Sequence, residues 1–298
     1  MHSQPKVAIA GVTGFIGSGL PALLASEGYK ITGISRRPQP PTATIQAWQS
    51  FENLDLRDHQ AVINLTGESI DRRWTPENRK KFHDSRIGTT RTILASIAAL
   101  PADQRPKVLV NASAVGIYGD RGDEPLDESA PRGHGYLADL CADWEAAALE
   151  ATALGLRVVL PRIGIVLGRE GAAFRKLLTI FRAGIGGRLG SGTQWMPWIH
   201  VEDMRATIVH AIMNESMNGP FNASAPHPET NREFTRKLAK ALHRPAILPV
   251  PGFALRLLLG PFGSALLAGQ RTRTTALDKA GYRFHFVHLE EALSELTA

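Results

Sequence analysis

The chain alternates short apolar runs with amphipathic stretches. Lys6–Ala10 and Lys30–Ile34, and then 61–65, 107–111 and 157–160, are brief Val/Ile/Leu/Ala-rich runs bounded by glycine or polar residues. Such runs suit buried parallel strands rather than one-sided ones. Between them, 14–26, 77–99 and 136–153 space their apolar residues at helical intervals. Strands alternating with helices specify an α/β fold, a Rossmann-type doubly wound parallel sheet covered on both faces. Beyond residue 168 the pattern changes to a glycine-rich stretch and then to helices near 202–214, 231–242, Gly252–Leu259 and 289–296. We therefore expect a nucleotide-binding unit over 1–167, its sheet open to completion by later segments. Residues 168–298 should form a smaller, mostly helical lobe on the substrate side.

The first strand runs into Gly11-Val12-Thr13-Gly14-Phe15-Ile16-Gly17. In this context Gly11 permits the turn, Gly14 allows close approach of a pyrophosphate, and Gly17 lets the helix pack on the sheet. The following helix would aim its free N–H groups and positive dipole end at the phosphates. Where the second strand ends, an NAD-binding chain places an acidic residue on the ribose 2′-hydroxyl. Here stand Ser35, Arg36 and Arg37. Guanidinium and hydroxyl groups would hold a 2′-phosphate by charge-assisted bonds of about 1.5–3 kcal/mol each, so the expected cofactor is NADP(H). A solvated basic turn before Pro38 is the bland alternative.

Ligands of open α/β sheets sit at the carboxyl ends of strands. The segments 64–68, 111–113 and 161–164 should thus line one cleft and bring Leu65, Thr66, Gly67, Glu68, Ser113 and Arg162 to it. Glu68 could contact ligand or form a structural ion pair. Gly184 to Gly192 holds five glycines in nine positions and feeds Trp195, Trp198 and His200. It reads equally as a substrate-side flap or as a connector. His200 is a candidate acid, with a packing role as the alternative.

Composition narrows the picture. A 298-residue chain with 43% hydrophobic and 21% charged residues is of ordinary globular character. Its net charge of +6 is spread along the sequence, which suits anionic small molecules and argues against a nucleic-acid partner. Cys141 is the single cysteine, so neither an intrachain disulfide nor a cysteine-based metal site is expected. The first apolar run is already the nucleotide strand, and Arg256 and Pro261 interrupt the most apolar stretch. Membrane insertion is not expected, and the cytoplasm is the expected location.

The glycine turn, N-L-T-G at 64–67, A-S-A-V-G-I-Y-G at 112–119 and W-I-H-V-E-D at 198–203 resemble the extended short-chain dehydrogenase/reductases, a superfamily that includes sugar-nucleotide epimerases. G-E-S-I-D-R-R-W at 67–74, S-R-I-G-T-T at 85–90, L-C-A-D-W-E at 140–145, G-S-G-T-Q-W at 190–195 and N-A-S-A-P at 222–226 narrow this to YfcH-type epimerase family proteins. Thr274 stands where those relatives tend to carry proline. The resemblance covers almost the whole chain. It implies NADP(H) held by the glycine turn, Ser35-Arg36, Leu65-Thr66 and the region of Arg86 and Val166. It also implies a small polar metabolite or nucleotide sugar as substrate, with phosphates meeting Arg162 or Arg188, and leaves a homodimer open.

Reductases of the superfamily carry Tyr-x-x-x-Lys, in which lysine faces tyrosine one helical turn on and lowers its pKa. Here Tyr136 is followed at that spacing by Leu140; the alternative register gives Leu137 and Cys141. Ser113 lies one residue before the usual hydroxyl position. Tyr136 and Ser113 are the candidate catalytic residues, and without the lysine Tyr136 should stay protonated and favour reduction. An NADPH-binding sensor or scaffold without catalysis is the competing reading.

Overall fold

The computed structural model describes residues 4–298. Seven strands form the path of the main sheet: β1 (Lys6–Ala10), β2 (Lys30–Ile34), β3 (Ala47–Gln49), β4 (His59–Asn64), β5 (Val108–Asn111), β6 (Arg157–Ile163) and β7 (Gly219–Ala223). All pair in parallel, in the order β7-β6-β5-β4-β1-β2-β3. Just past β5, Ser113–Ala114 pairs with the end of β6 as well. The order reverses between β1 and β4, which opens a crevice at the carboxyl edge. Register aligns that edge: Ala10 pairs with Asn64, and Asn64 with Asn111.

Side-chain alternation along each strand feeds two cores. Val7, Ile9, Ile63 and Val110 meet Leu20 and Leu24 of helix Leu20–Ser26 and Met204, Ile208 and Ile212 of helix Val201–Met213. Ala8, Ala10, Val62, Leu109 and Val158 meet Ile93, Leu94 and Ile97 of helix Thr89–Ala98 on the opposite face. A further core in the C-terminal half gathers Leu167, Phe174, Trp198, Phe234 and Leu293.

Several elements differ from their sequence patterns. The helix expected from Gly14 starts later, with a 3-10 turn at Gly17–Gly19 and the α-helix from Leu20. The helix expected over 77–99 is broken into Pro76–His83, a π-helical turn at Asp84–Gly88 and Thr89–Ala98. The apolar spacing survives this insertion, so periodicity alone reads straight through it. β3 escaped notice because it is short and half-polar, and β7 because it opens on Gly219-Pro220; proline is tolerated there because β7 is an edge strand. Arg157 ties β6 to helix Val201–Met213 and to the turn after it by donating to the carbonyls of Ala211, Ile212 and Met217 at 2.8, 3.0 and 2.6 Å. Among the described residues no helix is long and apolar enough to cross a membrane.

Candidate functional site

The glycine turn is shaped by backbone contact. Gly11 has φ +84°, and a β-carbon there would lie 3.0 Å from the Leu65 backbone. A β-carbon on Gly17 would meet the Gly11 carbonyl oxygen at 2.2 Å. The Gly14 N–H closes the turn by donating to Gly11 O at 2.9 Å. Arg205, which the sequence did not single out, holds the turn from outside, donating Nε to Ile16 O at 3.0 Å and Nη2 to Phe15 O at 2.7 Å. The Phe15 ring lies against Gly168 and Gly171, where a side chain would collide with it.

Two cavities meet at Gly11, Gly14, Leu65, Thr66 and Gly67. One, of about 560 Å³, runs past Thr13, Ser35, Arg36 and Glu68. Arg37 and Gln39 join Thr13, Ser35 and Arg36 around an adjoining hollow. Arg36 is 86% exposed and 3.8 Å from Glu68, which also pairs with Arg72 at 3.8 Å. Pairs this open are weak, so the Arg36 guanidinium stays available to an anion. The other cavity, of about 510 Å³, passes Phe15, Ile16, Gly17, Arg86 and Ser113 and ends among Leu137, Cys141, Ile165 and Ala265.

Between the two, the strand ends are locked by a buried polar network. Asn64 Nδ2 donates to Asn111 Oδ1 (2.7 Å) and Thr90 Oγ1 (3.0 Å), and its Oδ1 accepts from Thr66 Oγ1 (2.6 Å). Thr90 Oγ1 also accepts from Trp144 Nε1 (3.2 Å) and donates to Arg86 O (2.8 Å). Arg86 sits on the π-helical turn, a feature common at functional sites. Its guanidinium donates to Phe82 O (3.2 Å) and Glu68 O (3.1 Å), and burial lowers its pKa.

The structure separates the candidate catalytic residues. Ser113 lies on the cleft wall, but its hydroxyl donates to Glu145 Oε1 at 2.6 Å, so lone pairs rather than a proton remain free. Glu145 in turn accepts both Nε (2.9 Å) and Nη2 (3.0 Å) of Arg162. Arg162 Nη1 donates to Tyr118 Oη (2.9 Å) and Glu128 O (3.0 Å). Burial works against the Arg162 charge, but the Glu145 carboxylate outweighs it and holds the pKa above the usual arginine range. Arg162 is thus a buried tie rather than a free phosphate ligand. Tyr136 is outside the cleft lining: its ring lies 5.1 Å from Trp74 and 4.6 Å from the Arg79 guanidinium, and its hydroxyl donates to Arg79 O at 3.4 Å. Burial raises its pKa, with Arg79 and Arg86 opposing. The helix instead presents Leu137, Leu140, Cys141 and Trp144 to the cleft. Burial, aided by the Glu145 charge, pushes the Cys141 thiol up to about 12.

The remaining candidates lie elsewhere. Trp198 is fully buried in the C-terminal core and donates to His227 O at 2.9 Å. Trp195 donates to Asp123 Oδ1 at 2.7 Å beneath Arg271. His200 caps helix Val201–Met213 through Glu202 N and meets Glu295 at 3.2 Å. Val166 pairs with Ile199 in a short sheet and packs on the core, while its neighbours Ile163, Gly164 and Ile165 face the cleft. The glycine-rich loop is pinned by Gly190 N to Val250 O (2.8 Å) and Val250 N to Arg188 O (2.9 Å), and it lines neither cavity. Asn64, Asn111 and Glu145 were legible only as strand-end or helix polar residues flanked by apolar ones.

Strand order, glycine turn and cleft together define a Rossmann-type fold of the extended short-chain dehydrogenase/reductase kind. Residues 7–224 match the NAD dependent epimerase/dehydratase family, and the chain belongs to it; residues 250–296 match a domain of unknown function, DUF1731. The chain is 40% identical over 297 residues to epimerase family protein ML0860 of Mycobacterium leprae, covering 98% of this chain and 95% of that protein. It is 36% identical over 298 residues to human epimerase family protein SDR39U1, covering 98% of this chain and 100% of that one. The crystal structure of human SDR39U1 (isoform 2) with NADPH superposes with a TM-score of 0.89 at 33% identity, covering 98% of this chain and 99% of that one. UDP-glucuronic acid 4-epimerase from Bacillus cereus shares the fold, with a TM-score of 0.75 at 18% identity over 98% of each chain.

Proposed function

We propose that this protein binds NADP(H) across the two cavities and reduces a small-molecule carbonyl compound. The observation that carries the cofactor reading is the end of β2, where Ser35, Arg36 and Arg37 stand beside Thr13 around one hollow. A dinucleotide fits the adjoining cradle, because side chains at Gly11 and Gly17 would collide with the backbone that shapes the turn. The turn would hold the pyrophosphate, the Ser35–Arg37 corner a 2′-phosphate, and Leu65, Thr66, Gly67 and Arg86 the remainder. The NADPH held by the human relative supports the same assignment.

When bound, the cofactor supplies hydride chemistry. The residues lining the second cavity determine which direction suits it. None of them is Asp, Glu, His or Lys. Removing a proton from an alcohol needs such a base, whereas an alkoxide formed by reduction can be protonated by water. Reduction is therefore favoured over the oxidation that begins epimerisation. The apolar helix face of Leu137, Leu140 and Cys141 supports a second reading, a cofactor-binding sensor without turnover.

Affinities for NADPH and NADH, with and without Arg36→Asp, test the cofactor assignment. The substitution should weaken NADPH at least tenfold and leave NADH nearly unchanged; an unaltered ratio overturns the assignment. A panel of carbonyls with NADPH and of the matching alcohols with NADP⁺ then tests the direction. Reduction alone supports the enzyme reading, faster oxidation after correction for the equilibrium refutes it, and tight NADPH binding without turnover favours the sensor.

A further inference from the structure

The second cavity bears on the kind of molecule it admits, an inference that rests on the proposed reading of the cleft. Its lining includes Val115, Leu137, Leu140, Cys141, Ile165 and Ala265, all presenting carbon or a protonated thiol. The polar side chains that do reach it are few, and each has a partner within the fold. Arg86 is held by two backbone carbonyls, Ser113 gives its proton to Glu145, and Gln270 Nε2 donates to Gly119 O at 2.7 Å. The arginines that the sequence offered to a substrate phosphate are spent elsewhere. Arg162 is tied to Glu145, and Arg188 Nη1 donates to Gly190 O (2.9 Å) and Ser191 O (2.8 Å). Neither lines the cavity. Arg86, the one charged side chain in the lining, would serve the cofactor, so a second diphosphate in this space would shed its hydration without a charged partner of its own, a heavy penalty. An apolar chain or ring would instead remove its own surface and that of the walls from water.

We propose that this cavity takes an apolar carbonyl compound, an aliphatic or aryl ketone or aldehyde, and excludes nucleotide sugars. Leu137 is the residue that reads this chemistry most directly: it is only half-buried, at the start of its helix, and touches the position of a Gly116 β-carbon at 3.4 Å.

Titration calorimetry with 2-octanone and with UDP-glucose, on the chain alone and on its NADPH complex, tests the proposal. We expect 2-octanone to bind and UDP-glucose to give no heat of binding. Leu137→Asp should weaken 2-octanone at least tenfold while NADPH affinity changes less than twofold, and Leu137→Met should retain the ketone. Binding of UDP-glucose, or failure of 2-octanone to bind either form, overturns the proposal. Failure of NADPH to bind while 2-octanone does would overturn the cofactor reading and leave the apolar site standing. A tenfold loss for both Leu137→Asp and Leu137→Met, with unaltered thermal unfolding, would place the ketone elsewhere and also count against it.

Discussion

A β-carbon on residue 17 has nowhere to go but the Gly11 carbonyl oxygen, 2.2 Å away, and backbone cannot swing aside as a long side chain can. Gly17→Ala should therefore cost about 1–3 kcal/mol of stability, as overpacking does, and weaken NADPH at the same time. Thermal unfolding and cofactor titration check both; an alanine variant as stable and as tight as wild type would contradict the contact. Positions of this kind were legible because backbone geometry dictates the residue type. The glycines and the Ser35–Arg37 corner follow from where a strand must end, not from what packs on it. Tyr136 shows the opposite case. One residue of helix register turns a side chain by roughly 100°. Tyr136 and Leu137 thus face different surroundings, and nothing local in the sequence chooses between them. Ser113 was found at the cleft, but its proton is directed by Glu145, which lies thirty-two positions away along the chain.

At the level of elements, helix Tyr136–Leu149 serves two purposes with two faces. Leu137, Leu140 and Cys141 line the cleft, while Glu145 reaches back to bind Ser113 and Arg162. Truncating Glu145 to alanine would strand the Arg162 charge in a buried setting, which typically costs 3–5 kcal/mol, so about that loss is expected. Chemical denaturation measures it, and a change below about 1 kcal/mol would show that Arg162 finds other partners. The π-helical turn at Asp84–Gly88 is the other element the sequence concealed. It widens the helix by one residue just where Arg86 must reach both Phe82 O and Glu68 O. Phe82 before the insertion, Ile87 within it and Ile93 after it are all buried, so an apolar stripe persists across it.

Across the whole molecule, two buried histidines couple stability to pH. His59, on β4, sits between Thr32 and the Arg57 carbonyl, and burial lowers its pKa against the opposing pull of the Arg57 and Leu56 backbone. His200 is lowered in the same way, with Glu295 opposing. An unfolded histidine titrates near about 6.5, above both folded values, so the unfolded chain binds more protons as pH falls below that point. Their contribution is complete above about pH 6.5 and is lost as pH falls toward the folded values. The melting temperature should drop through this window, and His59→Gln should flatten the drop; an unchanged slope would show that other groups control it. The fold class was legible because five of the seven strands carry continuous apolar runs. β7 was not, since its place is set by partners far away in the sequence.

That last strand has a consequence for how the protein is made. β6 gains its outer neighbour only when residues 219–223 arrive, and Arg157 finds its acceptor carbonyls only at 211, 212 and 217. A nascent chain halted before this point displays an unshielded row of ladder donors and acceptors along a hydrophobic strand, the kind of surface that recruits another chain. For the ribosome-bound protein, the interval between synthesis of β6 and delivery of β7 is thus the period of greatest exposure to misassembly.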